Sequence, residues 1–443
     1  MTVPPQTQRA ELLRAIGRWT MVALAINSIL GSGIFGLPAP VAGFLGRLSP
    51  LAVLLAGMAM GVIIACYAEV ASQFTETGGT YLYLRHAFGR LIGLQVGWLT
   101  LLSRLTAVAA AVNLLVTYLA EFFAGATHPA ARLLIITLFI GGLTAVNCRG
   151  IGASALMSNA SVVAKLGALA IVCVAGIAWL LVHPAVVSQP VAAGADSWLK
   201  AMLLLLFAYG GYEAALNPMG EARNPRQDVA FALFVALAVL TVLYSVLQWI
   251  VVSVLAEPAA SQRPLADAAR VMMGAPGAAL VSIGALLSVY GYVSANLLTT
   301  PRGMFALAER GDFPALLAAV HPRWRTPYVS IVIFALLLWA FSQFASFSWN
   351  VTLSAVARIL YYAGVCAAVP VLRRRQPAAA AFRAPGGLAL PFLGIGICLA
   401  LLTRVDFSKS LILLGTVALA LLNWALVRDR PEPTGPARAP QSP

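Results

Sequence analysis

Apolar runs of about twenty residues recur along the chain, and a helix of that length crosses the hydrocarbon core of a bilayer. Charges and turn formers bound twelve such spans: 16–41, 48–70, 90–121, 130–148, 154–182, 197–220, 228–255, 276–307, 327–345, 349–372, 388–404 and 410–427. Two of them are interrupted. In the first, Gly31-Ser32-Gly33 falls about halfway along, with Gly36 and Pro38 close behind. In the sixth, Gly210-Gly211 follows Leu206-Phe207-Ala208-Tyr209. Each break begins 12 residues after a tryptophan, Trp19 or Trp198. Glycine is a poor helix former, and unwound backbone at membrane depth is costly unless it lines a cavity or meets a ligand. Close helix packing through small residues would explain either break alone. Two breaks in corresponding places of two halves point instead to a transporter site near the bilayer midplane.

Composition strengthens the membrane reading. The 443 residues are 60% hydrophobic and only 10% charged, against about 25% charged in soluble domains. The fold class expected is therefore an all-α membrane protein of about twelve transmembrane helices. The first fifteen residues are polar and are expected to form a cytoplasmic tail rather than a signal peptide. In a soluble protein the net charge of +14 would suggest nucleic acid; here it reads as loop asymmetry, and no nucleic-acid partner is expected. With an even number of spans and the N-terminus inside, inward loops and tails hold 19 Lys and Arg and outward loops hold 7. That bias puts both termini in the cytoplasm, in the cell's inner (plasma) membrane. The five cysteines are scattered without metal or redox spacing, and no cofactor or metal is expected. Residues 428–443 are proline-rich without an apolar face, and disorder is expected there.

Few charges fall inside the spans: Arg104, Lys165 and Arg358, with Glu213 the one acid well inside. Each is costly at that depth and is a functional candidate by default. Glu213 can serve as a proton carrier or gate, or can be held by a basic partner or by backbone amides freed at the break. Lys165 stands about mid-span, where its ammonium is either a buried, titrating cation or snorkels to the edge. Arg104 keeps its proton and needs an anion, either Glu213 or the substrate. Arg358 poses the same question. A channel would call for rings of polar or charged residues. A membrane enzyme would call for a paired acid and base or a metal cluster. Neither set is present in the spans, so no enzymatic activity is expected. No G-x-x-x-x-G-K-[ST] loop occurs to couple ATP.

Four motifs carry a family resemblance. Gly31-Ser32-Gly33-Ile34-Phe35 resembles the G-S-G-I/V-F of the first helix in the amino acid–polyamine–organocation permeases. Tyr67-Ala68-Glu69, then Gly78-Gly79-Thr80-Tyr81 through Arg85 and Phe88-Gly89, resembles their loop between helices 2 and 3. Phe207 to Glu213 with Glu221-Ala222-Arg223-Asn224-Pro225 resembles their sixth helix and its E-x-x-N-P exit. Arg302 to Phe313-Pro314 is similar to the end of helix 8.

The resemblance implies a five-plus-five inverted repeat with broken helices 1 and 6. Residues 16–182 would hold helices 1–5, 197–372 helices 6–10, and 388–427 helices 11–12, with tails at 1–15 and 428–443. It implies secondary transport of amino acids by alternating access, proton-coupled, with a sodium-independent amino acid or amine exchanger as the alternative. A half-helix N-terminus exposes amides that suit a carboxylate, and the C-terminal end of the preceding half offers carbonyls to an ammonium. By resemblance, the carboxylate would meet amides around Gly31, Ser32, Gly33 and Ile34. The amine would meet carbonyls near Ile29, Phe207 and Gly210, with Phe207 either a lid or ordinary packing. Helix 3 lines the cavity in this family, which puts Arg104 beside the substrate's side chain, where the family usually has an uncharged residue. Lys165 would occupy the cation position of sodium-coupled relatives between helices 1, 5 and 8, with Thr299 and Thr300 as oxygen partners. Asn296 would offer a polar contact. Substrate, protons and lipid are the partners implied.

Overall fold

A computed structural model describes residues 16–74, 78–150, 155–186, 191, 193–216, 221–376 and 380–428, without the side chains of 155–164. The tail 1–15 and nearly all of the proline-rich tail 428–443 lie outside the described residues. Fifteen α-helices make up the chain among those residues: α1 Arg18–Ile29, α2 Gly33–Gly36, α3 Pro38–Leu45, α4 Ser49–Ala71, α5 Gly79–Phe88, α6 Arg90–Leu119, α7 Pro129–Cys148 and α8 Ala155–Val182. Then come α9 Ala195–Tyr209, α10 Pro225–Val254, α11 Pro264–Glu309, α12 Tyr328–Phe344, α13 Phe347–Arg375, α14 Ala389–Leu402 and α15 Phe407–Val427. Proline stands in the first turn of α3, α4, α7, α10 and α11, where its missing N–H is not needed.

Nine helical segments among the described residues are long and apolar enough to cross a bilayer, and α12 and α14 are shorter apolar helices. The predicted sixth span stays regular only to Tyr209, and 217–220 fall outside the described residues. Two boundaries differ from the pattern-based reading. The stretch after Gly78, read as a loop, forms helix α5, buried on Tyr83 and Leu84. The eighth span is preceded by a further helical stretch from Pro264, turned at Gly274 into the span itself.

The buried centre is built from α1, α4, α6, α9, α11 and α13. α4 lies along α10, α6 along both α11 and α13, and α8 along α11, while α7 packs on α12. α1 touches α10, and α9 touches α4. The lipid-facing character of the outer elements is visible in exposed Leu and Phe along α14 and α15. Inward-facing positions are filled largely by alanine, valine and leucine, with fully buried tyrosines at the centre.

Ion pairs tie the helix ends. Asp312, completely buried, accepts from Arg90 Nε at 2.8 Å and Arg85 Nη1 at 2.5 Å, and from the Tyr81 hydroxyl. The amide of Asn423 on α15 donates to its backbone carbonyl at 2.7 Å. Glu69, also fully buried, receives Arg373 through Nε at 2.6 Å and Nη2 at 2.7 Å, and Arg18 reaches Asp228 at 2.8 Å. The Asp312→Ala variant should lose thermal stability in detergent, because breaking a buried pair costs about 3–5 kcal/mol. Asp196→Ala, which removes a half-exposed partner of Lys200 and Arg404, should change little. Equal unfolding temperatures for the two variants would contradict the burial argument.

Candidate functional site

The first break lies between α1 and α2. α1 closes with Leu30 N on Ile26 O and Gly31 N on Ile29 O, both 2.8 Å, and the chain resumes helical form at Gly33. The amides of Ser32, Gly33 and Ile34 donate to no backbone carbonyl among the described residues, and all three residues are buried. A Cβ on Gly33 would stand 3.1 Å from Ala208 Cα, so the first and sixth spans cross with their breaks against each other. A Cβ on Gly31 would lie 3.7 Å from the Tyr292 ring of α11.

The second break follows α9. Gly210 is extended, and its N–H returns to Phe207 O at 3.1 Å. Gly211 takes φ +110°, open to glycine, and a Cβ there would run into Ser28 O of α1. Glu213 folds back onto this break. Its Oε2 accepts from Gly211 N at 2.9 Å and Tyr362 hydroxyl at 3.3 Å, and its Oε1 from Tyr361 hydroxyl at 2.9 Å. Tyr67 and Tyr212 wall this pocket in edge contact with each other.

The basic partner of Glu213 is Arg358 of α13, with Nε 3.8 Å from Oε1. The same Nε donates to Ser103 Oγ at 3.0 Å, and the guanidinium lies over the Phe207 ring at 5.5 Å. Nη1 abuts Gly210, where a Cβ would collide with it, and has no hydrogen-bond partner among the described residues. Arg104 sits nearby on α6 but outside hydrogen-bond range of any described side chain. With Gly97, Thr100 and Leu101 it forms one face of α6 on a cavity of about 440 Å³ that also reaches Glu213, Thr299 and Thr300. A second cavity, about 360 Å³, lies toward the other end of the bundle, lined by Gly36, Asn113, Arg132 and Phe347 among others.

Lys165 of α8 is 5% exposed. Its Nζ donates to Leu30 O at 2.8 Å and to Asn27 through Oδ1 at 2.5 Å and O at 3.2 Å. The ammonium therefore seats on the C-terminal carbonyls of α1, at the negative end of that half-helix. Thr299 and Thr300 are not its partners: Thr299 bonds Ala295 O, and Thr300 turns to the large cavity. Both lie about two turns past Tyr292, where α11 meets the break. Asn296 donates to Tyr292 O at 2.9 Å and is absent from the walls of both cavities.

Ile29, Gly31, Ser32, Gly33, Ile34, Phe207, Gly210 and Glu213 thus gather at the paired breaks, with Lys165 behind the first and Arg104 on the cavity wall. Ser103, Tyr292, Tyr361, Tyr362 and Asn27 belong to the same constellation and were not singled out from the sequence. One signal was available: Tyr361 and Tyr362 follow Arg358 by three and four positions, on its helix face.

A family model described as amino acid permease matches residues 16–418. The methylthioribose transporter of Bacillus subtilis is 26% identical over 90% of this chain and 90% of its own. A serine/threonine exchanger of the same organism is 27% identical over 83% and 85%. Its branched-chain amino acid permease is 26% identical over 90% and 89%. With helices long and apolar enough for repeated membrane crossings and a match across nearly its whole length, the chain is a multi-pass membrane protein and belongs to the amino acid permease family of the amino acid–polyamine–organocation superfamily.

Proposed function

We propose that the protein is a secondary active transporter that carries amino acids across the cytoplasmic membrane by alternating access, coupled to protons through Lys165. The observation that carries this reading is the meeting of two helix breaks around unbonded amides of Ser32, Gly33 and Ile34. Three N–H groups without backbone partners at the start of a half-helix suit a carboxylate. The relatives named as a serine/threonine exchanger and a branched-chain amino acid permease support an amino acid as cargo.

The helix contacts support a five-plus-five repeat. Numbering the spans, contacts of 3 with 10 are matched by 8 with 5, and contacts of 1 with 7 by 6 with 2. Exchanging the two halves maps this set onto itself. Cavities toward opposite ends of the bundle fit a protein that exposes one central site to each side in turn. The excess of basic residues in alternate loops supports cytoplasmic termini, which makes the larger cavity the cytoplasmic vestibule.

Lys165 holds the carbonyls of Asn27 and Leu30 as a bound cation would. Loss of its proton removes the charge and loosens the end of α1 beside the amides, which couples proton release to movement of the first half-helix. A sodium-independent exchanger is the second reading, favoured by the relative named as an exchanger; it keeps the same site and needs no titration of Lys165.

Two measurements test this. Gly33→Val should weaken amino acid binding by about tenfold or more, a loss of about 1.4 kcal/mol, because a Cβ there already stands 3.1 Å from Ala208. Normal affinity in a variant that elutes as a single species would remove the first break from the binding site. In proteoliposomes, wild-type accumulation should follow an imposed pH gradient without sodium. Lys165→Ala should lose that accumulation and keep exchange. Strict sodium dependence of the wild type, or full pH-driven accumulation by Lys165→Ala, would overturn the coupling role.

A further inference from the structure

The charges at the centre do not cancel. Arg104, Arg302 and Arg310 line the large cavity with Glu213 as its one carboxylate, and Arg358 adds a further positive charge beside Glu213. Glu213 is itself held by Gly211 N and the hydroxyls of Tyr361 and Tyr362, with Arg358 only at 3.8 Å. The guanidinium of Arg358 is 4% exposed and spends Nε on Ser103, leaving Nη1 unpartnered against Gly210. Arg104 has neither an ion pair nor a hydrogen bond among the described residues. A guanidinium does not shed its proton, and a cation at membrane depth requires an anion or a wet cavity. The cavity has room for water, but two guanidinium groups that both lie within electrostatic reach of Glu213 and Tyr292 form a ready receptor for a second carboxylate.

We propose that the cargo is an amino acid with an acidic side chain, net charge −1. Its α-carboxylate lies on the amides of Ser32, Gly33 and Ile34, and its side-chain carboxylate is received by Arg104 and the free edge of Arg358. Binding then adds a second carboxylate beside Arg104 and Arg358, and a neutral side chain leaves the two guanidinium groups with Glu213 alone. Lysine- or arginine-like cargo is repelled by both guanidinium groups. This rests on the amino acid reading above and adds the class of amino acid.

The test uses the full-length protein in proteoliposomes, with labelled L-glutamate and L-aspartate set against labelled L-serine, L-leucine and L-lysine. Acidic amino acids should be taken up and should compete with one another, with the others at least tenfold less effective. Arg104→Gln should cut acidic uptake at least tenfold and raise the relative uptake of neutral ones. Arg104 makes no hydrogen bond or ion pair among the described residues, so this variant is expected to fold even if Arg358→Gln does not. Arg358→Lys, which keeps the charge and loses the fork, should retain part of the preference. Uptake of serine or leucine with L-glutamate and L-aspartate ignored would overturn the acidic class and leave the amino acid reading standing. Neutral uptake that depends on chloride, lost in gluconate, would assign the arginines to an inorganic anion and equally overturn it. An unchanged acidic-to-neutral ratio in Arg104→Gln would do the same. Absence of uptake for the whole panel would overturn both readings.

Discussion

Inside a bilayer no water is available for a peptide group that loses its helical partner, and each such group is costly to leave unpaired. This protein interrupts two of its most central helices. Much of the surrounding structure follows from making those interruptions tolerable. Leu30 and Asn27 carbonyls are covered by the Lys165 ammonium. The amide of Gly211 is covered by the carboxylate of Glu213. Tyrosines of α13 then secure Glu213. The amides of Ser32, Gly33 and Ile34 are left, buried and without a backbone acceptor among the described residues, and in the proposed site they are the groups that a carboxylate from outside would satisfy.

The same constraint links chemistry to motion. A half-helix whose last carbonyls are held by one ammonium would, under the proposed coupling, be loosened when that ammonium gives up its proton. The break at Gly211 lets α9 end against α1 so closely that a Cβ would meet Ser28 O. Displacement of one half-helix is therefore felt by the other. Away from the centre, buried carboxylates such as Asp312 and Glu69 tie helix ends that are far apart in sequence. The breaks thus sit within a frame that is fastened at its ends and adjustable at its middle.

Much of this was legible in the chain. Glycine pairs within apolar runs located both breaks, because the penalty for glycine inside a helix is local and independent of partners. Lys165 was legible as a costly mid-span cation for the same reason, since that cost depends on depth, with burial and snorkelling both open. The partners of these groups were not. Thr299 and Thr300 share the span expected beside Lys165, yet the rotation of α11 turns Thr300 to the large cavity. The ammonium finds Asn27, in the same turn as the break. Glu213 pairs with Arg358, 145 positions away, rather than with the nearer Arg104, and only packing of α13 against α9 sets that choice. Ser103 and the two tyrosines carry no signal until the arginine they accompany is placed. The further helical stretch before the eighth span carries no span signal in the sequence, because its apolar run is shorter than a membrane crossing.

In the proposed site the two facing breaks together hold the cargo. Hydrogen–deuterium exchange of the purified full-length protein, with and without the amino acid that most stabilises it in a thermal panel, tests this. Cargo should slow exchange in peptides covering 29–36 and 207–216 together, since it satisfies the free amides of one break and immobilises the other. Protection confined to α14 and α15, or protection of only one break, would contradict a site built from the pair.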